Sequence, residues 1–299
     1  MENIIANKNI KERKKFSISR VFVYGTLILY TLFLFIPFYT IIVTAFTDHI
    51  ELTSSAEFIW WPKNFSLQGF KNLIEYDDMY LTTGVPSIVR GFFNTIWMST
   101  LPTIVGLFFS GLAAYVYTKI NLPGKNVFFA IEMATMMIPL SSMQIVSYMF
   151  YNSVLNWNGT PLPLIVPSMF GGAGTIFFLR MYFEGVGNEI IEAAKIDGKS
   201  FLGIYITILI PLAVPAFIAQ FVFAFVARYN DYVGPLLYLT GNDKMITLQL
   251  ATSNLRSSFS KYHETICASA IFSMVPLIIV YCFCQKLFIK GIAVGGSKE

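Results

Sequence analysis

Residues 21–46 form one almost unbroken apolar run, and a run of that length leaves few folds open. About 20 apolar residues span the hydrocarbon core of a bilayer, and there a helix satisfies every backbone N–H and C=O group without water. A basic stretch, Lys8, Lys11, Arg13, Lys14, Lys15 and Arg20, precedes the run. A cleaved leader peptide would be shorter and would end in small residues, so residues 21–46 are expected to stay as a first span. Further spans are drawn at about 91–118, 126–150, 161–183, 211–234 and 266–285, giving six. With 55% hydrophobic and 13% charged residues and a mean hydropathy of +0.62, the chain lies outside the soluble globular class. The expected fold is an all-α integral membrane bundle.

Orientation follows from the basic residues. Of 21 Lys and Arg, 14 fall on the side that is inside when the N-terminus is inside, and seven fall outside. Both termini are therefore expected in the cytoplasm of a multi-pass plasma-membrane protein in contact with lipid. The net charge of +4 is spread over loop flanks and forms no nucleic-acid patch. Cys267, Cys282 and Cys284 share one apolar segment and imply no disulfide framework. His49 and His263 have no metal-ligand spacing, and His263-Glu264 lacks the second histidine of a zinc helix. The cluster Gly171-Gly172-Ala173-Gly174-Thr175 lacks the lysine of a phosphate loop and suits close helix packing instead. No catalytic, metal or cofactor residue is assigned, and the chain is expected not to be an enzyme.

The interval 184–210 looks built to dock rather than to connect. Glu189 to Ile196 are helix formers, Asn188 can cap their first turn, and Gly198 interrupts them before Phe201, Ile204, Tyr205 and Ile208 resume apolar spacing up to Pro211. Glu192-Ala193-Ala194, three residues, Gly198, nine residues, Ile208, one residue, then Ile210-Pro211 resembles the EAA signature of ATP-binding-cassette (ABC) importer permeases. Family members usually carry Leu where Ile210 stands, and the sugar-transport branch commonly has Pro where Gly187 stands. The resemblance implies that residues 188–208 are a coupling helix seated in a groove of a separate cytoplasmic ATPase. Ala193 and Ala194 would keep bulk low for a close approach, Glu192 would supply a charge across the groove, and Asp197-Gly198 would make the turn. The plain alternative is an amphipathic cytoplasmic loop, since Glu-Ala-Ala occurs in many helices; the distant Ile208 and Pro211 at fixed spacing favour docking.

Of the charges inside expected spans, where insertion costs on the order of 2.5–3.5 kcal/mol each, two stand out. Glu132 lies near the cytoplasmic face, within reach of the interface. Arg228 lies late in the fifth span in VARYNDYVGP. The run Tyr229, Asn230, Asp231, Tyr232 resembles the aromatic-Asn-acidic-aromatic pattern of sugar permeases, with Tyr229 where Trp is usual. Amide and carboxylate groups beside a ring suit a polyhydroxylated solute, which makes these residues substrate-pathway candidates. The other reading is an interhelical knot in which Asp231 neutralises Arg228; if Arg228 faces a cavity unpaired, an acidic sugar becomes plausible.

Phe58, Trp60, Trp61 and Pro62 mark an interfacial anchor in the loop 47–88, and Ser66 can cap a short helix carrying Phe70, Leu73 and Ile74. At the other end, Ala268, Pro276, Gln285-Lys286-Leu287-Phe288, Gly291 and Gly295 resemble the sugar-type C-terminus, with Lys286 in place of the usual Arg. The resemblance covers roughly residues 60–299 and is nearest the second permease of maltose-type importers. It implies a basic tail at 1–20, a first helix at 21–46, an external loop at 47–88, a type-1 permease core at 89–285 and a C-terminal tail at 286–299. The partners implied are a second permease subunit, an ATPase dimer that binds the ATP, and an extracytoplasmic solute-binding protein; no nucleic acid is implied. A permease for peptides or amino acids, or a secondary transporter, remains open at this point, although no convincing internal repeat relates 21–150 to 161–285.

Overall fold

The computed structural model describes residues 18–55, 57–75 and 84–295. The basic tail up to residue 17, Asp77 and Asp78, and the last four residues lie outside the described residues. What is described is almost wholly helical.

Helix α1, Ile18–Ala45, exposes apolar side chains on nearly every side, Phe22 and Phe33 among them, as a helix in lipid does. Only its C-terminal end is buried, at Val43 and Ala45, where it leans on the last helix. Two short helices follow, α2 at His49–Ser54 and α3 at Gln68–Glu75. Asp48 caps α2 by accepting from Ile50 N at 3.0 Å, and Ser66 Oγ accepts from Gln68 N at 3.1 Å before α3. Leu73 is buried and Phe70 packs beside it, whereas Ile74 stays exposed. Tyr39 Oη donates to the Trp60 carbonyl, tying the aromatic stretch to the C-terminal half of α1.

Glu51 closes the loop between α2 and α3. Its carboxylate accepts from the backbone N–H groups of Lys63 at 3.1 Å and Asn64 at 2.9 Å, and these bonds hold its pKa below the usual carboxylate range. A depressed carboxylate contributes stability above its unfolded pKa, and that contribution is lost as pH falls through the folded one. Protection of the Lys63 and Asn64 amides, taken relative to the free-chain exchange rate at each pH, should therefore be present at neutral pH and be lost as the medium is acidified through the depressed pKa of Glu51. Glu51→Gln should lower that protection at neutral pH and remove its dependence on acidification.

The bundle is organised by α4, Ser87–Lys119, which packs against most of the remaining helices. Among its buried residues, beside Ile88, Met98, Leu107 and Tyr115, runs a stripe of small ones: Gly91, Thr95, Ser99, Thr103, Gly106, Ser110, Gly111 and Ala114. Small residues let neighbouring backbones approach closely inside a membrane. At Gly106 a Cβ would collide with the Ser168 carbonyl, so this glycine sets the approach of α7, Leu162–Met169. Of the 171–174 cluster, expected to pack closely, only Gly171 does so: at φ +86 it turns the chain against Ser110 and into α8, Ala173–Glu184, whereas a Cβ at Gly172 would meet nothing within 4 Å.

The stretch 126–150, expected as one continuous span, is instead two helices, α5 at Lys125–Thr135 and α6 at Leu140–Met149. Pro139 lacks an N–H and biases Ile138 away from helical geometry, which places the break. The fifth expected span, 211–234, starts earlier and is bent: α10, Phe201–Leu212, and α11, Val214–Tyr229, meet at 82°. Pro215 in the first turn of α11 loses no hydrogen bond there. After α12, Val233–Leu239, and α13, Leu248–Ser258, the chain closes with α14, His263–Gly295. Among the described residues four segments are long and apolar enough to cross a membrane, Val21–Ala45, Ser87–Lys119, Leu162–Glu184 and His263–Gln285, with a fifth if the bent pair crosses as one.

Beside α2 and α3, α14 begins on a buried carboxylate. Glu264, 1% exposed, lies 3.2 Å from His49 Nδ1, and the His49 ring stacks on Tyr262 at 4.5 Å. Asn72 donates to Thr265 Oγ1 at 2.9 Å, so α3 is seated on the same turn.

Candidate functional site

One end of the bundle gathers the last turn of α4, the end of α8, the helix α9 at Asn188–Ile196, and the start of α10. Ile191 and Ala194, 3% and 4% exposed, bury into a cluster with Tyr115, Leu179, Phe183, Ile204, Tyr205 and Leu209. Positions three and four apart on a helix share a face, so burial of 191 and 194 turns Glu189, Glu192, Ala193 and Ile196 outward. Ile196 is 87% exposed, and nothing in the tripeptide signature pointed to it.

The end of α9 is fully capped. Gly198, at φ +78, takes the left-handed conformation; Lys199 N donates to Ala194 O and Gly198 N to Lys195 O, both at 3.0 Å. These are the two bonds of a Schellman motif. Asp197, the residue before the turn, donates through its N–H to Ala193 O at 2.9 Å. Ser200 Oγ then caps α10 by accepting from Gly203 N at 3.1 Å. Helix, turn and helix are thus joined with little slack.

Three local expectations need correction. Asn188 does not cap: Gly187 occupies the cap position, and Asn188 Oδ1 accepts from Lys119 Nζ at 2.9 Å, which also donates to the Val186 carbonyl. A lysine at the end of a span reads only as an inside charge, so this tether was not legible. Ala194 does not lie on an open face, because α9 must bury one stripe to be held at all; its small size admits its own core, and Ala193 alone of the two alanines is outward. Ile208 is only half-buried, since Tyr205–Leu209 form a π turn, and the extra residue brings Leu209 rather than Ile208 into the cluster. Tyr205 Oη donates to the Phe108 carbonyl at 2.7 Å, and Pro211 is exposed just before the bend.

The second site lies deeper. A cavity of about 190 Å³ is lined by Thr95, Ser99, Ser168, Arg228, Asp231 and Thr247 among others. Arg228 Nη1 donates to Thr103 Oγ1 at 3.2 Å and to Ala224 O at 3.3 Å, while its buried Nε has no partner. Asp231 does not neutralise it: Asp231 Oδ1 accepts from Gly234 N at 3.1 Å at the start of α12, and among the described residues no carboxylate lies within ion-pairing distance of Arg228.

The neighbouring candidates divide. Tyr229 is 0% exposed, donates to the Ser273 carbonyl at 3.0 Å and packs its ring on Phe225. A ring buried between α11 and α14 offers no face to a solute, so its expected stacking role does not fit this arrangement. Asn230 is exposed and accepts from Gln249 Nε2 at 3.3 Å, and Tyr232, partly exposed, accepts from Ser253 Oγ at 3.3 Å. Glu132 accepts from Tyr117 Oη at 3.0 Å, linking α5 to α4. Among the described residues no group of three or more His, Cys, Asp or Glu converges to hold a metal.

The model of one protein family, described as binding-protein-dependent transport system inner membrane component, matches residues 106–294. The arabinooligosaccharides transport system permease protein AraQ of Bacillus subtilis (strain 168) is 29% identical over 222 residues, 73% of this chain and 77% of its own length. The polygalacturonan/rhamnogalacturonan transport system permease protein YtcP of the same organism is 27% identical over 290 residues, 92% of this chain and 96% of its own. A chain of a crystallised bacterial ABC transporter involved in the import of the acidic polysaccharide alginate superposes with a TM-score of 0.74 at 23% identity, covering 91% of this chain and 99% of that one.

Proposed function

Because this chain belongs to the family of binding-protein-dependent transport system inner membrane components, we propose that it is the permease subunit of an ABC importer for a sugar or oligosaccharide. The family accounts for a multi-pass membrane permease working with a binding protein. The relatives named for arabinooligosaccharides and for polygalacturonan/rhamnogalacturonan, together with the cavity that Arg228 and Asp231 line, support a saccharide as the solute.

The observation that carries the drive mechanism is the outward face of α9. A short helix whose Ile191 and Ala194 are locked into the transmembrane core presents Glu189, Glu192, Ala193 and Ile196 at the end expected in the cytoplasm. An exposed Ile beside a small residue and two carboxylates fits a groove on a cytoplasmic ATPase, which binds the ATP while this chain performs no bond chemistry. Motion of α9 passes through the Gly198 turn into α10 and the bend before α11, whose far end carries Arg228. Closure of an ATPase dimer on ATP draws the two permeases' docking helices together and rocks the pair from inward-facing to outward-facing. A second permease subunit completes the pore, and both termini lie in the cytoplasm.

The test reconstitutes the permease with its ATPase and binding protein in nanodiscs and measures ATP hydrolysis against panels of oligosaccharides and of peptides. Stimulation by a saccharide is the expected result. Stimulation by peptides alone would overturn the solute assignment, and hydrolysis indifferent to the permease would overturn the subunit role.

A further inference from the structure

We infer that the cavity around Arg228 receives a carboxylate, so that the imported saccharide is an acidic one. This rests on the saccharide reading above and narrows it. Arg228 bonds to Thr103, the middle residue of α4 between Ser87 and Lys119, so its guanidinium sits about halfway along that helix. Charges at such depth are expensive and are ordinarily paired or turned to a polar cavity. Here the contacts are a threonine hydroxyl and a backbone carbonyl, both neutral, and the buried Nε makes none. The nearby carboxylate of Asp231 is engaged with Gly234 N at 3.1 Å and leaves Arg228 uncompensated.

A structural role at the end of α11 accounts for part of this, since a cation in a helix's last turn meets the carbonyl dipoles. It accounts for Nη1 on Ala224 O but leaves Nε with nothing to donate to. The cavity offers an anion the guanidinium fork and the hydroxyls of Ser99 and Thr247; Ser168 Oγ already donates to the Leu164 carbonyl at 2.9 Å, and the Asp231 carboxylate, which also lines the cavity, keeps Oδ1 on Gly234 N, so the anion must sit on the guanidinium side. Thr247 Oγ1 is itself buried without a partner. Arginine recognises carboxylates through two parallel N–H···O bonds, a geometry that a neutral hydroxyl cannot reproduce. At about 190 Å³ the cavity is small beside the roughly 300–1,000 Å³ of pockets for drug-sized ligands, so it suits one charged sugar unit at a time rather than a chain.

The experiment uses the assembled importer with its binding protein in nanodiscs. The probes are trimers of galacturonate, glucuronate and mannuronate and the same trimers after carboxyl reduction, which turns each carboxylate into a neutral primary alcohol of similar size and keeps the ring hydroxyls. The readout is the saccharide concentration giving half-maximal stimulation of ATP hydrolysis. For the wild type, at least one acid trimer should act at a concentration 10-fold or more below its reduced form. Arg228→Gln should raise that concentration for the acid roughly 10- to 100-fold, as expected for a lost charge-assisted hydrogen bond, and leave the reduced form unchanged, with Arg228→Lys between. Reduced trimers acting as well as the acids on the wild type would overturn the inference while keeping the saccharide reading; this arm needs no variant to fold. A shift of acid and reduced forms together in Arg228→Gln would likewise overturn it, by making Arg228 structural. Stimulation by peptides alone would overturn the saccharide reading and this inference with it.

Discussion

Glu192→Lys should abolish solute-stimulated ATP hydrolysis while the permease still inserts, folds and carries its normal thermal stability. Glu192 is exposed, and its removal leaves nothing inside the chain unsatisfied, so the loss would appear only in the complex. Reversing a charge in a docked groove typically costs 2–5 kcal/mol or more, enough to empty the interface at ordinary subunit concentrations. The sharper contrast lies between the two alanines that follow. Ala193→Trp adds an indole to an open face and should release the ATPase from a stable permease. Ala194→Trp forces the same ring against Tyr205, Leu209 and Phe183, where there is no room, and should destabilise the permease itself. Copurification of the ATPase, read beside thermal unfolding of the permease, separates these outcomes. Intact coupling in both Glu192→Lys and Ala193→Trp would mean that α9 does not dock.

Gly91→Val should lower the permease's stability by about 3 kcal/mol or more, the upper range of overpacking costs in a close-packed core. A Cβ at Gly91 would lie 2.9 Å from Leu248 N and from the Thr247 carbonyl carbon and oxygen, all backbone atoms that no rotamer change can move aside. The strap they belong to is pinned to α4 from the same side. Thr95 Oγ1 accepts from Leu248 N at 2.8 Å, and Asn94 Nδ2 donates to the Lys244 and Ile246 carbonyls at 3.0 and 2.8 Å. Displacing the strap would therefore strand several buried polar groups at once. Gly25→Val on α1 is the control: nothing lies within 4 Å of its Cβ, and stability there should hold or rise slightly. Thermal unfolding of both variants in one detergent makes the comparison, and an unchanged midpoint for Gly91→Val would refute the close approach.

Much of the architecture was legible because a bilayer punishes unsatisfied backbone so heavily that long apolar runs must be helices. The stretches 21–46, 91–118 and 266–285 could be drawn to within a few residues for that reason. The regions 126–150 and 211–234 were less legible, since Pro139 and Pro215 each allow a break without dictating the angle that follows. At the docking element, the spacing from Glu192 to Pro211 located the helix, turn and helix, and Gly198 took the left-handed turn that a glycine there suggests. Spacing could not tell which of two adjacent alanines faces outward, because that depends on how α9 rotates to bury Ile191. It could not anticipate the π turn at Tyr205–Leu209, which moves burial from Ile208 to Leu209, nor the reach of Lys119 across the bundle to Asn188.

The sequence by itself determined that this is a helical membrane permease, and it located the segment expected to couple it to a partner. Hydropathy and motif spacing are local properties, and both survive any arrangement of the helices. The tertiary structure decided what Arg228 and Asp231 do. Three residues apart along the chain, they read as a natural ion pair; the end of α11 and the start of α12 turn Asp231 onto Gly234 N and leave Arg228 to Thr103 and the cavity. Whether two opposite charges meet depends on where their helices end and how they pack, and only the folded chain settles that.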